Sequence, residues 1–387
     1  MRIAFIGQKG IPTRAGGVEK HVEEMAIRMA ERGHKVFVYA RNNYTNKNLA
    51  EYKGVKLVHL PSIGTKNLDA ISHTFLAVVH ALFQRYDVVH FQAIGPSSLS
   101  WIIKLFKRQT VLISTFHCQD YHHQKWGAFA RLYLKLGEYV SCRVPQKTIV
   151  VSQGLVQYVK EKYGREVEYI PNGAAVHFNA GTKVLERWGL RDQKYILNQG
   201  RFIRHKGVQY LIEAFKKLED TAKVPNNFKL VIVGDGFHTD DYVQYLHRIS
   251  AHRPNIIFTG IQNGSSMEQL FSHAYAFVQP SESEGLSISL LEAMGYGLAP
   301  LVSNIPENME AVKGIGFSFR SKDVDDLADQ LAYLLNQPAE VEAVGKRAKL
   351  MVEKEYSWDL IVEKTLKLYE ELILEKNAKL SFRKFRK

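Results

Sequence analysis

Two glutamates eight positions apart, Glu284 and Glu292, bracket the start of an apolar helix in the segment VQPSESEGLSISLLEAMGYGLAPLV, residues 278–302. A carboxylate accepts two hydrogen bonds at once and suits vicinal hydroxyls on a sugar. The residues between them form a strand-loop-helix-strand unit. A strand over 276–278 ends in a polar turn, and Leu286, Leu290, Leu291 and Met294 lie on one helical face. Gly295 and Gly297 stop the helix before a second strand over 299–302. The loop then delivers free backbone N–H groups to a helix start, where phosphate is favoured. Phosphate at the helix end with hydroxyls on either side describes a nucleotide sugar. Upstream, Gly200-Arg201 and Lys206-Gly207 follow a strand over 195–199. Arginine offers a bidentate fork and lysine a point charge, the natural partners of a diphosphate.

The E-x7-E spacing, set in PSESEG and LLEAMGYG, resembles the signature of family-4 retaining glycosyltransferases. The G-R and K-G element at residues 200–207 is similar to the one that neutralises the leaving diphosphate in that family. The resemblance spans nearly the whole chain and is most specific in its second half. It implies an α/β protein of two facing doubly wound, Rossmann-like domains, the GT-B arrangement, with substrate in an interdomain cleft. It also implies roles. Glu284 touches the donor sugar, Glu292 holds the ribose hydroxyls, and backbone near Gly260 contacts the base. Gly285 and the N–H groups of residues 286–288 meet the diphosphate. Arg201 and Lys206 stabilise the departing nucleotide. Ser287 and Ser289 replace the glycine and proline frequent after the Glu-Gly, which leaves sugar specificity open. No enzyme nucleophile is evident, so front-face attack by the acceptor hydroxyl is expected.

The first half opens with a strand over 2–6, a helix carrying Val22, Met25, Ala26 and Met29 on one face, and a strand over 35–40. This is the start of a doubly wound sheet. The connecting loop, residues 7–17, is rich in glycine, which lets backbone approach a phosphate or sugar closely. A nicotinamide-dependent enzyme is the rival reading of that loop. It fits poorly, because the dinucleotide fingerprint needs a short G-x-G-x-x-G turn. Gly16 and Gly17 resemble the family's N-terminal glycine loop, which lies across from the donor phosphates.

Further strands are expected over 55–60, 88–91, 111–116 and 147–151. His117 follows the third of these, at the edge that lines the ligand crevice of an open sheet. By resemblance it faces the donor sugar. The neighbouring His122 and His123 have no carboxylate pair or Cys-Cys spacing beside them, so no metal site is expected. Cys118 lacks an orienting partner for nucleophilic work. The segment 125–143 reads as a helix with Phe129, Leu132, Leu136 and Val140 on one face. With His117 and Asp120 it resembles a rhamnosyltransferase-type subgroup of surface-polysaccharide assembly. The basic side, including Lys125 and Arg131, is then expected to face acceptor phosphates or a bilayer. Residues 98–108 read as a crossover helix that could also lie on a membrane surface.

The chain of 387 residues is long for a single core and suggests two domains. The expected division is 1–178 for an acceptor-side domain and 190–356 for a nucleotide-sugar domain. A helix over 357–376 crosses back, and a basic tail of 377–387 is expected to be irregular or to touch a membrane. The hinge is expected between 174 and 192. No apolar run is long enough for a membrane span, and two cysteines imply no disulfide framework, so a cytoplasmic location is expected. The net charge of +13 is unevenly placed. Residues 1–180 hold 24 Lys and Arg against 12 Asp and Glu, whereas 181–387 hold 28 against 27. The first half should attract an anionic surface or a lipid-diphosphate acceptor. A basic nucleic-acid-binding module is the other rival, but no readout motif supports it. The expected partners are therefore a nucleotide sugar, a glycan or lipid-linked acceptor and an anionic membrane, with no cofactor, metal or nucleic acid.

Overall fold

A computed structural model of the chain describes residues 1–14, 16–65, 68–119, 121, 127–176, 178–236 and 239–385, with side chains through residue 379. It divides into two units, Met1–Asn172 with Trp358–Lys387, and Gly173–Ser357. Residues 173–189, where the hinge was expected to begin, belong with the second unit. Their backbone is tied to it: the N–H of Ala174 donates to the Tyr356 carbonyl at 2.7 Å, and that of Asn179 to the Ser272 hydroxyl at 2.8 Å.

The first unit contains β1 (Arg2–Ile6), α1 (Gly17–Glu31), β2 (Lys35–Arg41), β3 (Glu51–Tyr52), β4 (Val55–Leu60), α2 (Asp69–Leu82) and β5 (Val88–Gln92). It continues with α3 (Ile94–Ser97), α4 (Ser100–Phe106), β6 (Val111–Phe116), α5 (Ala128–Arg143), β7 (Lys147–Val150), α6 (Gln153–Tyr163) and β8 (Glu168–Tyr169). The strand order is β3-β4-β2-β1-β5-β6-β7-β8, parallel apart from β3. Every residue of β5 and β6 is buried, as a parallel sheet covered on both faces requires. Val22, Met25, Ala26 and Met29 are buried on α1.

α5 departs from the expected packing. Of the four residues read as one apolar face only Val140 is buried, while Phe129 is 85%, Leu132 67% and Leu136 55% exposed. The helix instead turns Leu134, Gly137, Glu138 and Ser141 inward. Gly137 sets this rotation. A Cβ there would lie 2.3 Å from the Ile94 carbonyl oxygen, so only glycine lets α5 approach α3 so closely. Oε1 of the buried Glu138 then accepts from the hydroxyls of Tyr158 and Tyr163 and the amine of Lys162, at 2.8, 2.5 and 2.9 Å.

The second unit contains α7 (Lys183–Arg187), β9 (Tyr195–Gln199), a 3-10 turn (Arg204–Lys206), α8 (Val208–Asp220), β10 (Lys229–Val233), α9 (Asp240–Ile249), β11 (Ile256–Gly260) and α10 (Ser265–Ser272). β12 (Ala276–Gln279), α11 (Ile288–Gly295), β13 (Ala299–Ser303), α12 (Pro306–Val312), β14 (Phe317–Phe319), α13 (Val324–Asn336) and α14 (Pro338–Glu355) complete it. Its sheet runs β11-β10-β9-β12-β13-β14, with all pairs parallel. Leu211, Ile212 and Phe215 of α8 meet Leu327 and Leu331 of α13 in its core. α15 (Trp358–Phe385) then returns the chain to the first unit, where it packs on α1 and β6 with Trp358, Ile361, Val362 and Tyr369 buried. The helix runs through Phe385, so the tail expected to be irregular is helical there.

In each sheet the order reverses at one place: between β1 and β5 in the first, between β9 and β12 in the second. Open α/β sheets bind ligands beyond the strand ends at such a switch point.

Candidate active site

The loops after β9 and β12 meet at the switch point of the second unit. Lys206 closes the 3-10 turn and donates to both oxygens of Glu284, at 2.6 and 2.7 Å. The Ser281 hydroxyl donates to the same carboxylate at 2.5 Å, and the Glu284 side chain is only 7% exposed. Backbone fixes the two loops against each other. The Glu282 N–H donates to the His205 carbonyl at 2.7 Å. Gly207, at φ +72°, follows the turn, and a Cβ on it would fall 1.9 Å from the Pro280 oxygen. Only glycine accepts both that backbone angle and that approach.

Arg201 stands half-buried beside this pair, and among the described residues its guanidinium has no hydrogen-bond or carboxylate partner. Burial first, then the charge of Lys206, with Arg201 adding to it, pushes the His205 imidazole down to about 4. His205 is therefore neutral at ordinary pH. Burial, reinforced by the negative charges of Glu284 and Glu310, raises the Glu307 carboxyl above the usual range. The site thus carries two cations, one compensated by Glu284, beside a helix start.

That helix is α11. Its first helical residue is Ile288 and its N-cap is Ser287, two residues beyond the start expected from the apolar pattern. The Ser287 hydroxyl accepts from the Leu290 N–H and donates to Gln279 Oε1 at 2.7 Å. Gln279 donates in turn to Asn308 Oδ1 at 2.7 Å, and Asn308 donates to the Ser303 hydroxyl at 2.9 Å. Ser303 closes the chain of bonds on the Ser281 carbonyl. A buried polar network therefore holds up the loop that carries Glu284 and the N-terminus of α11. Glu292 sits half-buried in the second turn of α11. The Gly234 N–H donates to the carbonyl of Gly260, the last residue of β11, at 3.0 Å.

In the first unit, His117 directly follows β6 and is buried. Its Nε2 lies 2.8 Å from Gln92 Oε1 at the end of β5, and its ring meets His21 edge-on at 5.0 Å. His21 Nδ1 lies 3.0 Å from Asn172 Oδ1, and the His21 ring also packs on Trp358. Burial holds His117 well below the ordinary histidine value and His21 at about 4. Gly16 is the N-cap of α1 and Gly17 its first residue. Two carboxylates of α1 secure the loop before them: Glu19 accepts from the Lys9 N–H at 3.0 Å, and Glu23 from the Thr13 N–H at 2.6 Å.

Two protein families match this chain, one on each half. Glycosyl transferases group 1 matches residues 183–351, and Glycosyltransferase Family 4 matches residues 15–177. The chain is a family 4, group 1 glycosyltransferase. It is 27% identical over 393 residues to an uncharacterized glycosyltransferase of Methanocaldococcus jannaschii, covering 96% of this chain and 98% of that one. It is 25% identical over 368 residues to a phosphatidyl-myo-inositol mannosyltransferase of Mycolicibacterium smegmatis, covering 92% and 90%. The structure of Anabaena HepE in complex with UDP and glucose superposes with a TM-score of 0.79 at 18% identity, over 96% of this chain and all of that one. The fold is therefore GT-B, and the enzyme is a retaining hexosyltransferase that takes sugar from a nucleotide sugar.

For this glycosyltransferase the structure brings together Lys206, Glu284, Gly285 and the start of α11, with Arg201 beside them. His117, Gly16 and Gly17 lie at the switch-point edge of the first unit. Arg131 is exposed on α5, and Asp120 and Lys125 lie outside the described residues. Of the loop that the nicotinamide alternative would use, the Lys9 and Thr13 amides already bond to Glu19 and Glu23. Among the described residues no three His, Cys, Asp or Glu side chains group to hold a metal. Sequence reasoning did not single out Ser281, Gln279, Ser303, Asn308, Gln92 and His21. Each is polar in a buried strand end or helix face, and that mismatch between residue type and position was the available signal.

Proposed function

We propose that the enzyme transfers a hexose or deoxyhexose to a hydroxyl of a glycan or lipid-linked acceptor in cell-envelope or exopolysaccharide assembly, at an anionic membrane surface. The observation that carries the donor side is the Lys206–Glu284–Ser281 cluster fixed beside the N-terminus of α11. The N–H groups of residues 286–288, Arg201 and Lys206 receive the diphosphate. Glu284 meets the donor sugar and Glu292 the ribose. With Gln92 Oε1 accepting, His117 Nε2 carries the proton and Nδ1 is left to accept from a sugar hydroxyl.

The acceptor oxygen bonds to the anomeric carbon on the face from which the diphosphate departs. The breaking carbon–oxygen bond leaves its electron pair on the β-phosphate, and the acceptor proton passes to that phosphate. The cations and the helix start stabilise the charge that develops there. The phosphatidyl-myo-inositol relative and the basic first half support a lipid-borne acceptor. A panel of UDP-, GDP- and dTDP-sugars tests the reading. One base should raise the melting temperature of the protein and be hydrolysed slowly to the free sugar with its anomeric configuration kept. If no nucleotide sugar stabilises the protein, the proposal fails.

A further inference from the structure

We infer that the helical layer α2, α4 and α5 of the first unit is the face that lies on an anionic lipid bilayer, with headgroup phosphates taken by a cationic groove between α4 and α15. The inference deepens the proposed function at one point, the membrane-borne acceptor, and it is read in binding rather than in turnover.

α4 packs against both α2 and α5, so the three helices form one layer on the sheet. Their outward side chains are apolar to an unusual degree. Phe83 at the end of α2 is 81% exposed, Phe106 of α4 66% and Phe129 of α5 85%, and Trp101, Leu132 and Leu136 are also outside. Soluble monomers rarely leave so much apolar surface uncovered on one layer. On α5 these residues alternate with the exposed cations Arg131 and Lys135. The layer carries no exposed, unpaired acid. The carboxylates within the three helices are Asp69, paired with Arg41 at 2.6 Å, and Glu138, fully buried and paired with Lys162. Apolar and basic side chains without free acid are what an interfacial helix presents to anionic lipid.

The groove supplies the second observation. It encloses about 500 Å3 and is lined by Lys104, Lys107, Arg108, Lys376 and Lys379, with Glu375 as its acid. Three of the amines reach only backbone: Lys104 the Val144 carbonyl, Lys107 that of Gln84, and Lys376 that of Thr110. Among the described residues, none of the three has a carboxylate partner. Burial, with the nearby Lys104 adding to it, lowers Lys376 to about 8. Thr110 and Gln146 precede β6 and β7, so the groove lies at the strand edge opposite His117. β6 separates the two by roughly 20 Å. α5 runs alongside from the one edge to the other, so its outer face joins the catalytic edge to the groove. Exposed aromatic side chains beside the groove favour a bilayer headgroup over a free phosphate, which would need none.

The test is sedimentation of the full chain with vesicles of mixed phosphatidylglycerol and phosphatidylcholine, against vesicles of phosphatidylcholine alone. Binding is expected to the anionic vesicles and to fall with salt. The double variants Leu132→Ser/Leu136→Ser and Lys104→Glu/Lys376→Glu should each weaken it by on the order of tenfold or more. Leu350→Ser, an exposed apolar residue of the second unit, should not. Melting temperature and nucleotide-sugar hydrolysis should stay at the parent level in the leucine variant, which separates loss of docking from loss of fold or of the donor site. Equal binding by the variants and the parent overturns the inference. So does a solution dimer that the leucine variant dissociates, because the face then belongs to a second copy. Displacement by millimolar inorganic phosphate would make the groove a soluble-anion site and overturn its headgroup role.

Discussion

At the scale of single residues, the pair Lys206 and Glu284 carries two burdens that experiment can separate. Lys206→Ala removes a cation from the site of the leaving diphosphate, and turnover should fall by on the order of 10²-fold or more. It also leaves the nearly buried Glu284 carboxylate with the Ser281 hydroxyl as its remaining described partner. That costs roughly 2 kcal/mol of stability. Adding Glu284→Gln removes the orphaned charge, so the double variant should melt near the parent temperature yet stay slow. Steady-state kinetics beside thermal melts would show it, and unchanged turnover in Lys206→Ala would defeat the diphosphate role. Both residues were legible because each sits in a local pattern of strand end, glycine and charge. Their bond to each other was not, because a separation of 78 positions carries no periodic signal.

Elements were read well where burial on both sides demands an apolar run. β1, β4, β6 and β9 begin and end where the sequence places them. Helix faces were harder. The periodicity of α5 gave a correct helix but not its inner side, since a stripe of leucine and phenylalanine does not say what it faces, and Gly137 decided the rotation instead. The loop into α11 shows a second limit. Its support comes from Gln279, Ser303 and Asn308, polar residues on separate strands and a helix, which meet only once the sheet is assembled. Asn308→Ala should therefore strand the Gln279 amide and cost about 2–4 kcal/mol, lowering the melting point by roughly 5–12 °C. The network underlies Glu284 and the α11 N-terminus, so the same variant should raise the KM for the donor. A melting point within a degree of the parent would show that the network does not support the loop.

At the scale of the molecule, acid should weaken the fold, and the two units should respond differently to cutting. The first unit buries His21 and His73 with pKa values of about 4, each lowered chiefly by desolvation. A folded value below the unfolded one, near 6.5, means the unfolded chain takes up protons that the folded chain refuses. Stability is then full above about pH 6.5 and falls as the pH drops towards 4, by up to roughly 3 kcal/mol for each histidine. Urea midpoints should therefore decline from pH 7 to pH 5, and His21→Phe should flatten the decline. Connectivity makes the second contrast. Residues 173–357 are continuous and enclose their own core, whereas the first unit depends on α15, which arrives only after the second is complete. α15 buries Trp358, Ile361, Val362 and Tyr369, and the Tyr369 hydroxyl lies 2.6 Å from Nδ1 of the buried His90. At about 1.5–3 kcal/mol for each large apolar side chain, their loss approaches the whole stability of an ordinary domain. Residues 173–357 expressed alone should give a cooperative thermal transition, raised by the same nucleotide that stabilises the full chain. Residues 1–172 alone should not fold, and co-expression with residues 358–387 as a separate peptide should recover folded protein. A cooperative transition in residues 1–172 by themselves would show that the returning helix is an addition to the first unit rather than part of its core.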